Sequence, residues 1–218
     1  MRECIALDTL DWLLIGLKED SEPQKLPNVD LDNIVDLCNG YQALAMRTSN
    51  YDHDRLMNGC LGLIGESGEV VDVVKKWCFQ SGQFDTPNFP RERLIEECGD
   101  VLWYCAETKT GMKASMGDGL LIEPPLLDPY NFFKNTDIQV AAGLLASTAI
   151  KPFIFMTSKQ EGHIAKMDRF ICDIIRFVGA FLDYYCQSSL HEAMKKNIEK
   201  LVIRYPNGFD PERSLHRD

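Results

Sequence analysis

Apolar side chains recur every three or four positions along most of this chain, which is the spacing of helices that bury one face. The alternation typical of strands is weak throughout, so the pattern predicts an all-α protein. The periodicity is clearest over residues 54–79 and 91–109, and the glycine and prolines of "SGQFDTPNFP" separate these two stretches. Further helices are predicted at residues 4–18, 31–48, 137–149, 159–186 and 189–204.

Three further features complete this outline. Asp30 stands before the 31–48 helix and is predicted to be its N-cap. Residues 110–136 are predicted to form a loop, and residues 150–158, "IKPFIFMTS", are a β-branched and aromatic patch between helices. Because no sequence block repeats at a fixed period, we expect a single all-α domain over residues 1–218.

The composition is that of a globular protein with an acidic surface. Of the 218 residues, 45% are hydrophobic, and the formal net charge is -10. Such a surface repels phosphate backbones, so we expect no binding to nucleic-acid polymers and none to membranes. A small phosphorylated substrate remains compatible with this charge, because a divalent cation can bridge the two.

Neither the cysteines nor the N-terminus carries a signature of export. The eight cysteines form no C-x-x-C pair and mostly fall in apolar helical runs, which predicts buried, reduced thiols. The N-terminal residues lack the basic lead and small-residue cleavage site of a signal peptide. No stretch approaches about 20 uncharged apolar residues, the length of a membrane span. We therefore expect a soluble, cytoplasmic protein.

Two pairs of carboxylates lie on the two most regular helices. The segment "GLIGESGEVVDVVKK" places Glu66 and Glu69 three positions apart, and "RLIEECGDVLWY" repeats this spacing with Glu97 and Asp100. Positions three apart share one helix face, at about 5–6 Å between Cβ atoms. The two helices are expected to form an antiparallel hairpin, so that the two pairs face each other.

A metal ion would account for four carboxylates at these positions. Both pairs interrupt apolar faces, where uncompensated charges cost on the order of several kcal/mol each. A divalent cation offsets this cost, and hard oxygen ligands favour Mg²⁺, with Mn²⁺ also possible. The competing interpretation is a pair of solvated acidic faces, with Glu69 pairing with Lys75 or Lys76 on the surface.

Four blocks of the sequence, taken in order, resemble a known family. They are "YQALAMRT", "GLIGESGEVVDVVKK", "EECGDVLWY" and "NIEKLVIRYPNGF", within residues 41–110 and 188–218. Together they resemble the MazG-like nucleotide pyrophosphohydrolases of the all-α NTP pyrophosphatase superfamily. Dimeric dUTPases and phosphoribosyl-ATP pyrophosphohydrolases belong to the same superfamily. The resemblance implies a four-helix MazG-like core, completed by a homodimer or higher homo-oligomer.

The resemblance also implies a reaction and a set of site residues. Members of the MazG-like family hydrolyse nucleoside triphosphates to monophosphate and pyrophosphate, with Mg²⁺ held at the positions of all four carboxylates. Either Glu66 or Glu69 would orient or deprotonate the attacking water. Tyr104 would contact sugar or base, whereas Trp103, about 100° away on the helix, is expected in the core. The expected substrate-binding residues are Gln42, Lys76, Tyr104, Asn197, Lys200 and Arg204.

The chain departs from the family pattern at Gly65 and in its length. Gly65 stands where many relatives carry a further glutamate, which leaves a second metal site open. Residues 1–30 are an N-terminal extension, and residues 111–158 are a predicted insertion. The predicted function is Mg²⁺-dependent hydrolysis of a (d)NTP in nucleotide-pool control. The alternatives are a dUTP/dCTP-selective enzyme, an alarmone (ppGpp) hydrolase, and a non-catalytic helical regulatory protein.

Overall fold

The computed structural model describes residues 33–50, 53–80, 88–121, 132–158 and 160–215. Apart from one isolated bridge between Pro206 and Gly208, these residues contain no β-structure, which confirms the all-α class. The predicted helix at 4–18 and the N-terminal extension lie outside the described residues. The helices are α1 Ile34–Ala45, α2 Arg55–Phe79, α3 Arg91–Gly111, α4 Ile138–Ala149, α5 Lys151–Ser158, α6 His163–Cys186, α7 Leu190–Arg204 and α8 Pro211–Leu215.

Short polar side chains start the helices that build the site. Asn33 accepts a hydrogen bond from the backbone N–H of Val35 at 3.0 Å, so this residue caps α1 in place of Asp30. Asp54 accepts from the N–H of Met57 at 3.0 Å and caps α2. Ser189 caps α7 in the same way. Each cap satisfies a backbone donor that the first helical turn leaves without a partner.

The β-branched and aromatic patch differs from the sequence-based expectation, because Lys151–Ser158 forms helix α5. Pro152 occupies its first turn, where a missing N–H costs nothing. The helix packs along α6, and Phe155 stacks on Phe170 with ring centroids 5.5 Å apart. Packing of this kind outweighs the weak helix propensity of β-branched and aromatic residues.

Helix α3 lies at the centre of the fold. It packs against α1, α2, α6 and α7, and its apolar residues Leu94, Cys98, Val101 and Leu102 are fully buried. Contacts pair the start of α2 with the end of α3, so these two helices run antiparallel, as predicted. The seven described cysteines are buried free thiols, which confirms the expectation for them.

Glycines allow α2 and α3 to cross at very short distance. A Cβ atom on Gly59 would lie 2.4 Å from Thr108 Oγ1, and one on Gly62 would lie 2.0 Å from the ring of Tyr104. Real Cβ atoms do not approach other heavy atoms so closely. The Tyr104 ring therefore rests directly on the backbone of α2, a close approach that only glycine permits.

The middle of the chain contributes to the core. Within the predicted insertion 111–158, the side chains of Met116, Phe133 and Leu145 are buried, and α4 packs against α2 and α6. Lys109 of α3 is completely buried and connects this region to α3 and α6. Its Nζ donates to the carbonyl of Asp118 at 2.8 Å and pairs with Asp168 of α6 at 2.6 Å. The described part of the segment is therefore built into the fold.

One stretch has the length and composition of a membrane span, although the sequence was expected to contain none. Ile138–Ser158 meets both criteria, which by themselves are weak evidence for a membrane helix. In the structure it is divided between α4 and α5 at Ile150. Several of its apolar side chains are exposed, among them Val140, Ile150 and Ile154.

Candidate metal centre and pocket

Three of the four predicted carboxylates come together. Glu66 of α2 and Glu97 and Asp100 of α3 each offer an oxygen within 4.8 Å of the others. Mg²⁺ binds oxygens at about 2.0–2.1 Å, so opposite ligands of one octahedral ion lie about 4.2 Å apart. Neighbouring ligands of such an ion are closer still, at about 2.9 Å. The three oxygens, which lie within 4.8 Å of one another, would therefore move closer together to hold one hard divalent cation.

The cluster holds its negative charge at a cost. Glu97 is only 4% exposed, and burial raises the pKa of its carboxyl, with Arg93 opposing the shift and the charge of Asp100 adding to it. Arg93 Nη2 contacts Glu97 Oε1 at 2.6 Å, and Lys200 Nζ contacts Asp100 at 2.5 Å. Two cations of the chain thus balance part of the charge that a metal ion would neutralise.

Glu69 lies apart from this group. Glu69 is exposed and lies about one turn beyond Glu66 on α2. It does not belong to the cluster of Glu66, Glu97 and Asp100. A carboxylate in this position remains hydrated at the edge of the site. Its predicted role as a metal ligand remains a prediction.

Asp100 is held from behind by a chain of buried side chains. Asn197 Nδ2 donates to Asp100 Oδ1 at 2.8 Å, and the hydroxyl of Tyr41 donates to Asn197 Oδ1 at 2.8 Å. Asn197 is 3% exposed and does not line the pocket described below. Its amide is occupied by Tyr41 and Asp100, although the sequence predicted that it binds substrate.

A pocket of about 540 Å³ opens beside Glu66 and Asp100. Trp103 and Tyr104 form part of its wall, with ring centroids 4.8 Å apart and nearly perpendicular planes. Trp103 Nε1 donates to Thr48 Oγ1 at 3.1 Å. The Trp103 side chain is partly buried and packs against the hydrophobic core, and it also lines the pocket, which the sequence did not predict. Other described residues of the lining include Asn50, His53, Asp54, Asn58, Arg204, Tyr205 and Phe209.

The remaining predicted substrate ligands divide into two groups. Arg204 lines the pocket, and Lys200 lies beside it through its contact with Asp100. Lys76 is exposed and pairs with Asp72 at 2.5 Å, away from the described lining. Gln42 donates to Thr110 Oγ1 at 2.9 Å and accepts from the N–H of Met116 at 2.6 Å, so it ties the end of α3 to α1.

A buried carboxylate that was not predicted from the sequence lies behind the pocket wall. Glu107, seven positions after Asp100 on α3, is completely buried. Ser49 donates to its Oε2 at 2.8 Å, His53 Nε2 lies 2.9 Å from its Oε1, and Arg55 is 3.8 Å away. A charged residue at an apolar helix position was the signal available for Glu107.

Comparisons of the chain with protein-family models, with curated proteins and with solved structures find no match. The sequence blocks and the geometry of the site are therefore the indications of what this protein does.

Proposed function

We propose that this protein is a Mg²⁺-dependent nucleoside triphosphate pyrophosphohydrolase. The observation that carries the proposal is the cluster of Glu66, Glu97 and Asp100, three carboxylates within 4.8 Å beside a pocket of about 540 Å³. That volume lies within the range of small-molecule sites. Together with the resemblance to MazG-like enzymes, this favours hydrolysis of a (d)NTP.

The reaction consumes one water and breaks the anhydride bond between the α- and β-phosphorus atoms, giving monophosphate and pyrophosphate. When bound, Mg²⁺ would neutralise charge that develops on the phosphate oxygens. The carboxylates of Glu66, Glu97 and Asp100 would hold it. Either Glu66 or Glu69 would orient or deprotonate the attacking water.

Two cations of the chain suit the triphosphate. Arg204 lines the pocket and has a fork of donors that matches phosphate oxygens. Lys200 neutralises Asp100 in this structure, and a divalent ion on Asp100 would leave its ammonium free to bind a phosphate oxygen. Lys200 would therefore pair with Asp100 without the metal ion and with a phosphate oxygen when the metal ion is bound.

The aromatic part of the wall suits the nucleoside. Asp100 and Trp103 or Tyr104 are about one helical turn apart on α3, which corresponds to about 5–6 Å along the axis. A phosphate near Asp100 thus places its sugar or base beside these rings, where stacking and apolar contact are available. The polar groups further along the pocket, including Asn58 and His53, are in place to contact the base edge.

A nucleotide panel with product analysis tests this proposal. Phosphorus NMR of dNTPs, NTPs and ppGpp incubated with protein and Mg²⁺ should show equimolar monophosphate and pyrophosphate from at least one triphosphate. Glu97→Gln should reduce that rate more than about 100-fold, the scale of losing one electrostatic stabiliser of the transition state. Unchanged helix content by circular dichroism would show that the variant is folded.

Glu96→Gln is the matched control, because Glu96 is the adjacent residue on α3 and its side chain is exposed. It should retain activity close to that of the unaltered chain. Release of nucleoside diphosphate and inorganic phosphate would contradict the proposed reaction. Turnover of ppGpp or of dUTP and dCTP alone would favour the corresponding selective enzyme. No turnover of any nucleotide would favour the non-catalytic alternative.

A further inference from the structure

A buried hydrogen-bonded chain connects α1 and α7 to the carboxylate of Asp100. The Tyr41 hydroxyl of α1 donates to Asn197 Oδ1 of α7, and Asn197 Nδ2 donates to Asp100 Oδ1 of α3, both at 2.8 Å. Tyr41 and Asn197 are 2% and 3% exposed, and neither lines the pocket. Their polar groups thus have no direct access to a substrate.

The orientation of the Asn197 amide follows from its partners. The carboxylate of Asp100 only accepts, so the NH₂ group of Asn197 must face it. The amide oxygen then faces Tyr41, whose hydroxyl must donate. Burial raises the pKa of Tyr41 well above its usual range, with the charge of Asp100 adding to the shift, so the hydroxyl stays protonated. Both hydrogen bonds therefore run in the same direction, from the Tyr41 hydroxyl to Asn197 and from Asn197 to Asp100.

The packing of α3 against α7 keeps this arrangement in place. A Cβ atom on Gly99 would lie 3.0 Å from the carbonyl oxygen of Ala193 and 3.1 Å from Asn197 Cβ. Glycine at position 99 thus lets α7 approach closely enough for Asn197 to reach Asp100. The Tyr41 hydroxyl also lies 3.4 Å from the Gly99 carbonyl oxygen.

We propose that Tyr41 and Asn197 are positioning residues that fix the carboxylate of Asp100 for metal binding. This inference rests on the proposed function, because it assigns the two residues to the same metal centre. Groups that hydrogen-bond a metal ligand from outside fix its orientation, and their loss typically weakens metal binding by about 10- to 100-fold. Without Asn197, Asp100 keeps only its contact with Lys200. Its carboxylate can then rotate and loses its orientation toward Glu66 and Glu97.

Tyr41→Phe tests the inference, because it removes the hydroxyl and keeps the ring. Mn²⁺ affinity of the full chain, measured by electron paramagnetic resonance of the free ion, should fall by about 10-fold, the lower end of that range, because Tyr41 acts on Asp100 through Asn197. Tyr185→Phe is the matched control. It also removes a hydroxyl that donates to a partly buried partner, the carbonyl of Thr136 at 2.6 Å, but far from the carboxylates in sequence and on another helix. Its Mn²⁺ affinity should equal that of the unaltered chain.

Asn197→Leu provides a second, independent break in the same chain. It should weaken Mn²⁺ binding at least as much as Tyr41→Phe, and adding Tyr41→Phe to it should have little further effect, because the connection is already lost. Additive losses in the double variant would overturn the inference, and so would equal losses in the Tyr41 and Tyr185 variants. If the unaltered chain binds Mn²⁺ and Tyr41→Phe binds it equally well, only this inference fails. If the unaltered chain binds no Mn²⁺, the proposed function fails as well.

Discussion

Glu66 and Glu69 have the same side chain and lie three positions apart on α2, but the structure treats them differently. Glu66 is partly buried and joins Glu97 and Asp100, whereas Glu69 is exposed outside that cluster. The helical period places the two glutamates on one face but does not specify which of them meets α3. That choice depends on where the helices cross, and the crossing is set by Gly59 and Gly62.

The difference between the two glutamates gives a direct prediction. Glu66→Gln removes a ligand of the cluster and should weaken Mn²⁺ binding more than about tenfold, since it deletes a charged ligand oxygen. Glu69→Gln should change the binding less, because its carboxylate stays in water, where charges interact weakly. Titration of both variants with Mn²⁺ measures this difference. Equal losses would show that Glu69 is a metal ligand of the same rank.

Other residues show what the sequence is able to predict about single positions. Spacing found the three clustered carboxylates, because helical periodicity and charge on an apolar face are local signals. It did not predict the contacts of Asn197 or Gln42, since each binds residues far away in the chain: Asn197 contacts Tyr41 and Asp100, and Gln42 contacts Thr110 and Met116. Such partners depend on tertiary packing.

At the scale of elements, the pocket depends on the short distance between α2 and α3. The ring of Tyr104 lies on the α2 backbone at Gly62, where no side chain fits. The ends of α2, α3 and α7 agree with the predicted helices to within two residues. The β-branched patch at Lys151–Ser158 changes from irregular chain to helix, because α6 provides a surface for it. The short helix α8 at Pro211–Leu215 was not predicted either.

Gly62→Ala should therefore push the Tyr104 ring away from α2. We expect a loss of about 1–3 kcal/mol in the free energy of unfolding, the usual cost of overpacking, and weaker nucleotide binding. Gly68→Ala is the matched control on the same helix, since nothing lies within 4 Å of its added Cβ. It should stabilise the protein by about 0.5–1 kcal/mol. Urea unfolding of both variants would contradict this account if Gly62→Ala proved neutral.

At the scale of the whole molecule, the described residues between the matching sequence blocks belong to the fold. Leu145 and Phe133 are buried in the same apolar core as Leu102 of α3, and Lys109 connects α3 to α6 through Asp168. The sequence blocks covered the site but gave no information on this packing. The predicted assembly into homodimers remains a prediction, and so does the cytoplasmic location.

The proposed function depends most on the metal site formed by Glu66, Glu97 and Asp100. A crystal of the protein grown with Mn²⁺ and a non-hydrolysable dNTP tests it most directly, through an anomalous difference map recorded at the manganese edge. We predict a peak among these three carboxylates, in contact with the phosphates, with the base in the pocket lined by Trp103 and Tyr104. A map with no peak there, or with the nucleotide bound elsewhere, would contradict the account.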